Sequence, residues 1–239
     1  MTLSERMKTF EAINKTRLMI RTPVIVRVDG RAFHTYTRRF NKPKDDRIDK
    51  AMDYTMLYLC RNIPGCIFGY CQSDEISLVI TDYKTLDTSP WYDYEVEKLV
   101  SVIASMATLA FNNAIRDIMN DTDYCTATFD ARVFNLPAHE VENYLIWRQQ
   151  DCIRNAIQGY AQAYYSQKEL HGKSCNVMLE MLEERGIIWG NMDSKIRNGR
   201  LAMKIVSQDS PETPWAILDT TPYFLDNKEL ISERVTNPV

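Results

Sequence analysis

The chain has 239 residues, 45% hydrophobic and 26% charged, with only 8 Gly and 9 Pro, which excludes disordered, collagen-like and low-complexity classes and suits one large domain or a domain with an extension. The net charge of −3 by itself argues against a nucleic-acid binder. Yet residues 1–70 carry 14 Lys and Arg against 7 Asp and Glu, and the other 169 residues 15 against 25, an asymmetry that fits either a polyanion-facing surface or a solvated basic face.

The N-terminal residues, Met1 to Phe10, are polar and carry no signal-peptide pattern. Val24 to Val28 is a β-branched run closed by Asp29-Gly30, and so predicts a buried strand ending in a turn. Asp45 is placed to cap a helix whose apolar positions Ile48, Met52, Met56 and Leu59 keep helical spacing until Pro64-Gly65 ends it. Two apolar runs, Cys66 to Tyr70 and Ile76 to Ile80, flank the polar Cys71 to Glu75 and predict a hairpin with a polar tip. Helical spacing then runs from Val96 to Ile118. It includes the longest nearly uncharged apolar stretch, Leu99 to Phe111, which is short of the roughly 20 residues a bilayer span needs. A fourth strand is expected over Cys125 to Phe134.

The order β, α, β, β, α, β is the split βαβ, ferredoxin-like arrangement of an α+β (α/β) fold, with its core over residues 1–135. Residues 136–239 then form a helical and β extension packed on that core. Within it, Ala138 to Tyr165 and Ser174 to Arg185 predict helices, and Arg200 to Val206 and Trp215 to Leu218 predict strands. Pro211, Pro214, Pro222 and Pro238 mark a loop-rich tail. The six cysteines show no Cys-x-x-Cys spacing, so buried free thiols are expected rather than a disulfide framework or a zinc site. Three histidines argue against a transition-metal site, and any metal is expected on oxygen ligands. With neither a span nor a leader pattern, no membrane partner and a cytoplasmic location are expected.

In this topology the first and third strands run antiparallel side by side, so the end of one lies beside the start of the other. Asp29 and Asp74 therefore meet, with Glu75 adjoining. Crowded carboxylates raise each other's pKa, which makes a divalent cation their natural occupant. Oxygen ligands alone favour magnesium, which takes one or two carboxylates plus substrate phosphates. Two such ions would align an attacking hydroxyl with a leaving phosphate. Taken singly, Asp29-Gly30 also reads as a turn dipeptide and Ser73-Asp74-Glu75 as a solvated hairpin tip. The loop Gly30 to Lys44 adds Arg31, His34, Arg38, Arg39, Lys42 and Lys44, with Phe33 and Tyr36 interleaved, a cationic segment suited to a triphosphate or a nucleic-acid backbone. His34 reads equally as a packed histidine.

Five segments carry a family resemblance: Val26 to His34, Asn41 to Arg47, Gln72 to Ser77, Phe129 to Val133 and Trp147 to Cys152. In this order they resemble the successive motifs of the tRNA-histidine guanylyltransferase family, enzymes that extend RNA in the 3′-to-5′ direction; residues 160–239 match more weakly. The resemblance implies a core similar to a polymerase palm. It also implies two magnesium ions held by Asp29, the Gly30 carbonyl and Asp74, with Glu75 in support as a third catalytic carboxylate. The backbone from Gly30 through Arg31, Ala32 and Phe33 to His34, together with Lys42 and Ser73, would cradle a nucleoside triphosphate, and Lys98 matches a basic position at the start of the long helix.

Glu95 stands where eukaryotic members tend to have arginine. After Asp151-Cys152 the chain has Ile153, Arg154 and Asn155 where eukaryotic enzymes dedicated to histidine tRNA have His-Ile-Asn. The chain therefore resembles the guanylyltransferase-like branch of bacterial and archaeal type, which adds templated nucleotides to 5′-truncated tRNAs. The partners so implied are tRNA, ATP, GTP and other NTPs, in a homo-oligomer that the family makes a tetramer. A palm-type nucleotidyl cyclase would share the metals without needing RNA. A non-catalytic RNA-recognition module would share the topology, but it stacks bases on strand aromatics and Val24 to Val28 offers none.

Overall fold

The computed structural model describes residues 1–205 and 214–238. Its first element, α1 (Leu3–Ala12), is a surface helix with no buried residue. A capping box between Thr2 and Glu5 fixes its start. Its apolar residues Leu3, Met7 and Phe10 keep helical spacing yet stay exposed, so the reading of these residues as merely polar overlooks a helix.

Next come β1 (Val24–Gly30), the short α2 (Phe33–Tyr36), α3 (Asp46–Asn62), β2 (Cys66–Gln72), β3 (Glu75–Ile80), α4 (Val96–Met119) and β4 (Phe129–Asn135). This is the expected βαββαβ order. Asp45 caps α3 by accepting the Arg47 backbone N–H. The buried face of α3 carries Ile48, Met52, Met56 and Leu59, each contributing roughly 1.5–3 kcal/mol when fully buried. The chain continues with α5 (Val141–Tyr164), α6 (Gln167–Leu170), α7 (Cys175–Glu183), α8 (Ser194–Asn198), β5 (Arg200–Lys204), β6 (Trp215–Ile217) and α9 (Glu229–Thr236).

Among the described residues the strands form one antiparallel sheet in the order β4-β1-β3-β2-β5-β6. Val24, Val26, Val28, Ile76 and Leu78 face α3 and α4, where they cluster with Met52, Leu59, Ile103 and Phe111. On the other face Ile25, Tyr70 and Val79 cluster with Val141 and Leu145 of α5 and with Ile231 and Val235 of α9. By length and composition alone α4 could cross a membrane, a property that the run Leu99 to Phe111 understates. In this fold its Leu99, Ile103, Ala107, Phe111 and Ile115 are buried in the core on the sheet.

Several boundaries differ from the sequence expectation. The polar tip of the β2–β3 hairpin shrinks to Ser73-Asp74, because Cys71, Gln72 and Glu75 lie in strands with buried side chains. β4 begins at Phe129 rather than Cys125, after a 3-10 turn at Thr122–Tyr124. The proline-marked tail contains α9, whose Ile231 and Val235 are buried one helical turn apart. Val206 and Pro211 lie outside the described residues. All six cysteines are free.

Candidate active site

The ends of β1 and β2 and the starts of β3 and β5 meet at one end of the sheet. There Asp29 is in register with Glu75 on one side and Asp130 on the other, and the Gly30 amide donates to the Asp74 carbonyl at 3.2 Å. A Cβ on Gly30 would lie 2.9 Å from Asp74 Oδ2 and 2.5 Å from the Phe33 ring. Only glycine lets the backbone approach that carboxylate. Burial pushes the Asp74 carboxyl up from its ordinary value. The Ser73 hydroxyl, donating at 2.9 Å, pulls it partly back, while the charges of Asp29 and Glu75 push it up again.

Asp29 is 36% exposed at its side chain, and its ion-pair neighbour is Arg132 at 3.9 Å. The expected meeting of Asp29 and Asp74 is therefore present. Among the described residues no three Asp, Glu, His or Cys side chains gather closely enough to hold a metal ion by themselves. Two carboxylates and the Gly30 carbonyl nonetheless suit magnesium, whose remaining positions go to water and substrate phosphate.

Glu75 has another task. Arg148 of α5 grips it with two hydrogen bonds, Nε to Oε1 at 2.7 Å and Nη2 to Oε2 at 2.9 Å, and Gln72 donates to Oε1 at 3.2 Å. Arg148 is 6% exposed and Glu75 9%, so this is a buried, bidentate pair. Arg148 also reaches Asp151 at 2.8 Å, which Arg154 and Asn155 contact in turn. Asp74 and Glu75, adjacent in sequence, thus have separate surroundings: Asp74 opens on the cavity and Glu75 is tied to α5.

A cavity of about 530 Å³ adjoins Asp74, within the range of ligand pockets. Its lining includes Gly30, Ala32, Phe33, His34, Lys42 and Ser73. The amides of Gly30 and Arg31 are already spent on the Asp74 and Thr128 carbonyls. Those of Ala32, Phe33 and His34 have no protein acceptor among the described residues. Ala32 reaches its position through a left-handed backbone, φ 51°.

Among the described residues the Lys42 ammonium has one hydrogen bond, to the Thr37 hydroxyl at 3.4 Å. His34 is exposed, with Nε2 3.1 Å from the Thr35 hydroxyl. Two candidates lie elsewhere: Arg31 is exposed and does not line the cavity, and Lys98 sits 4.7 Å over the Tyr92 ring at the start of α4. Ile153 packs against the cluster of Ile157, Ala161, Leu170 and Met178. Arg154 pairs with Asp151, so of that segment Asn155 is the residue that faces the cavity.

Sequence reasoning missed four residues. Asp130 reaches the site only through the β1–β4 register, although it lies within the Phe129 to Val133 segment. Arg148 and Arg200 are buried arginines whose partners are distant in sequence. Lys195 sits in the weakly matching C-terminal region, where no pattern flagged it.

A model of the tRNAHis guanylyltransferase family matches residues 4–137. The chain is 26% identical over 228 residues to a protein of Dictyostelium discoideum named "Probable tRNA(His) guanylyltransferase", covering 88% of this chain and 86% of the other. Among solved structures, it is similar to a bacterial tRNA(His) guanylyltransferase-like protein in complex with ATP, at TM-score 0.92 and 38% identity over 99% of this chain and 100% of that one. It is also similar to such a protein in complex with GTP, at TM-score 0.83 and 36% identity over 98% of each.

Proposed function

The chain belongs to the tRNAHis guanylyltransferase family, and on that premise we propose that it is a nucleotidyltransferase adding templated nucleotides to the 5′ end of tRNA, in the 3′-to-5′ direction. The observation that carries this is the pair of aspartates, Asp29 and Asp74, at adjoining strand ends, with Asp74 lining a cavity of about 530 Å³ that Lys42 also lines. Nucleotidyl transfer needs divalent metal. We assign it to magnesium, as two ions, with Asp29, Asp74 and the Gly30 carbonyl as protein ligands. When bound, the metal supplies charge neutralisation at the phosphates and a lowered pKa for the attacking hydroxyl.

The chain's own residues do the positioning. Lys42 meets phosphate oxygens as a point charge, and the free amides of Ala32, Phe33 and His34 offer donors to the same oxygens. The Ser73 hydroxyl donates to Oδ1 of the Asp74 carboxylate and holds it in place. The 5′ end is activated by ATP or already bears a triphosphate. The 3′-hydroxyl of the incoming NTP then attacks the 5′ phosphorus, a new phosphodiester forms, and AMP or pyrophosphate leaves. Such chemistry depends on placement and charge rather than covalent help.

Ile153 and Arg154, standing where dedicated histidine-tRNA enzymes keep His-Ile, leave base pairing with the 3′ strand to choose the nucleotide. That supports repair of 5′-truncated tRNAs, guanylate addition to histidine tRNA included. We extend the proposal to a homotetramer, on the family resemblance, and to the cytoplasm, where six free thiols suit the reducing environment.

The test is to incubate purified protein with magnesium, a labelled NTP and a tRNA lacking its first nucleotide. Label is expected in RNA one or more nucleotides longer at the 5′ end. Label in a cyclic nucleotide would instead assign the metals to a cyclase.

A further inference from the structure

Resting on the nucleotide site proposed above, we propose that Lys195 is a second phosphate-binding residue, holding the nucleotide's phosphate chain together with Lys42. The cavity is lined by the lysines Lys42, Lys44 and Lys195, by Arg200, and by the carboxylates of Asp45, Asp49 and Asp74. Most of these charges are already matched. Asp45 is held by Arg47 with a contact at 2.6 Å. Asp49 takes Lys44 at 2.8 Å and Arg200 at 3.1 Å, and Arg200 also reaches the Asp53 carboxylate. Lys195 feels Asp53 through space, but that carboxylate already has its arginine. What remains is Lys42, bound weakly to a hydroxyl, and Lys195, which makes no ion pair among the described residues. Both line the cavity into which Asp74 opens. Lys42 is exposed and Lys195 half-buried, and neither ammonium has a carboxylate partner among the described residues, so both charges are open to an anion that enters the cavity.

The platform for Lys195 is more firmly built than a surface turn requires. Tyr70 Oη and Gln149 Nε2 both donate to the Asn198 carbonyl, at 2.8 and 3.1 Å. Asn198 Nδ2 donates to the Thr221 carbonyl at 3.0 Å, and the Thr221 amide donates to Ser194 Oγ at 3.3 Å. Gly199 follows at φ +76°, with Tyr70 Oη only 2.5 Å from where a Cβ would stand, so α8 presses directly on β2. Because β5 starts at Arg200 opposite Cys71, α8 lies at the sheet end that carries Asp74. A five-residue helix pinned to sheet, α5 and tail holds its one cavity-facing cation in place, as a binding site requires. A lysine suits a flexible phosphate chain because it imposes charge without a fixed fork.

The experiment uses the full chain with Lys195→Ala, Lys195→Arg and Lys42→Ala. ATP binding is measured with magnesium and no RNA, 5′-truncated tRNA binding is measured separately, and thermal midpoints check folding. Lys195→Ala is expected to weaken ATP binding by about tenfold, the effect of one charged contact, and to raise the NTP KM more than it lowers kcat. Lys195→Arg is expected to recover most of the affinity, with tRNA binding and thermal midpoint unmoved. ATP binding that survives Lys195→Ala but falls in Lys42→Ala would overturn the proposal alone. Lost tRNA affinity with ATP affinity intact would also overturn it and give Lys195 to the RNA backbone. Absence of ATP binding in the unsubstituted chain would overturn the nucleotide site and this proposal together.

Discussion

Two sets of carboxylates stand in and around the cavity, Asp45, Asp49 and Asp74 lining it, and the fold treats the sets in opposite ways. Asp45, Asp49 and Asp53, around the first turns of α3, each have a basic partner: Arg47 for Asp45, Lys44 and Arg200 for Asp49, and Arg200 again for Asp53. At the sheet end Asp74 has the Ser73 hydroxyl, and Asp29 has a half-exposed Arg132 at 3.9 Å. A carboxylate already gripped by donors holds structure together. One left crowded and without a firm partner is available to a cation and the phosphates that come with it. Glu75 is the instructive case, because it lies beside Asp74 in sequence yet joins the first set through Arg148.

The contrast breaks most severely at the aspartates. Asp29→Ala or Asp74→Ala should lower nucleotide addition by on the order of a thousandfold or more while leaving the thermal midpoint near that of the unsubstituted protein, since neither carboxylate holds the fold. Activity within tenfold of the unsubstituted protein would remove them from the metal site. Arg148→Met should do the reverse and act first on stability. It strands the Glu75 carboxylate in the interior, a loss of about 3–5 kcal/mol that denaturant titration would read directly. An unchanged unfolding midpoint would show that the pair is dispensable to the fold.

A smaller effect sharpens the structural side. Asp45→Ala removes the α3 cap and should lower stability by about 1 kcal/mol at neutral pH. Arg47's side chain, followed by the Asn41 and Arg47 amides, holds the Asp45 carboxyl well below the usual carboxylate range. That stabilisation is therefore fully present above the unfolded value of about 3.9 and fades as pH falls through the lower folded one. The difference between variant and parent should shrink only in acid below about pH 4; a difference that instead vanished between pH 5 and 7 would contradict the assignment.

The approach of Asp29 to Asp74 was legible in the sequence because strand order alone predicts it. A βαββαβ arrangement puts the end of β1 against the start of β3, so Asp29 and Asp74 could be placed together from residues 45 apart. What escaped depended on contacts that no local pattern encodes. Cys71, Gln72 and Glu75 read as a polar tip, but the β2–β3 ladder runs through them, and Arg148 and Arg200 arrive from distant elements to meet Glu75 and Cys71 where they are buried. The helix α1 keeps Leu3, Met7 and Phe10 at helical spacing but buries none of them, so its short stripe is masked by the polar residues around it, and α9 shows only two buried positions amid prolines. Lys195 carries no signal until β5 brings α8 to the sheet end.

If this end of the sheet adds nucleotides opposite a template, the template base chooses the nucleotide. The most direct measurement presents four 5′-truncated tRNAs that differ only in the unpaired template base and compares the addition of each NTP. Addition that follows Watson-Crick complementarity across all four is the predicted result. Guanosine added equally well opposite every template base would contradict it and make the chain a dedicated guanylyltransferase.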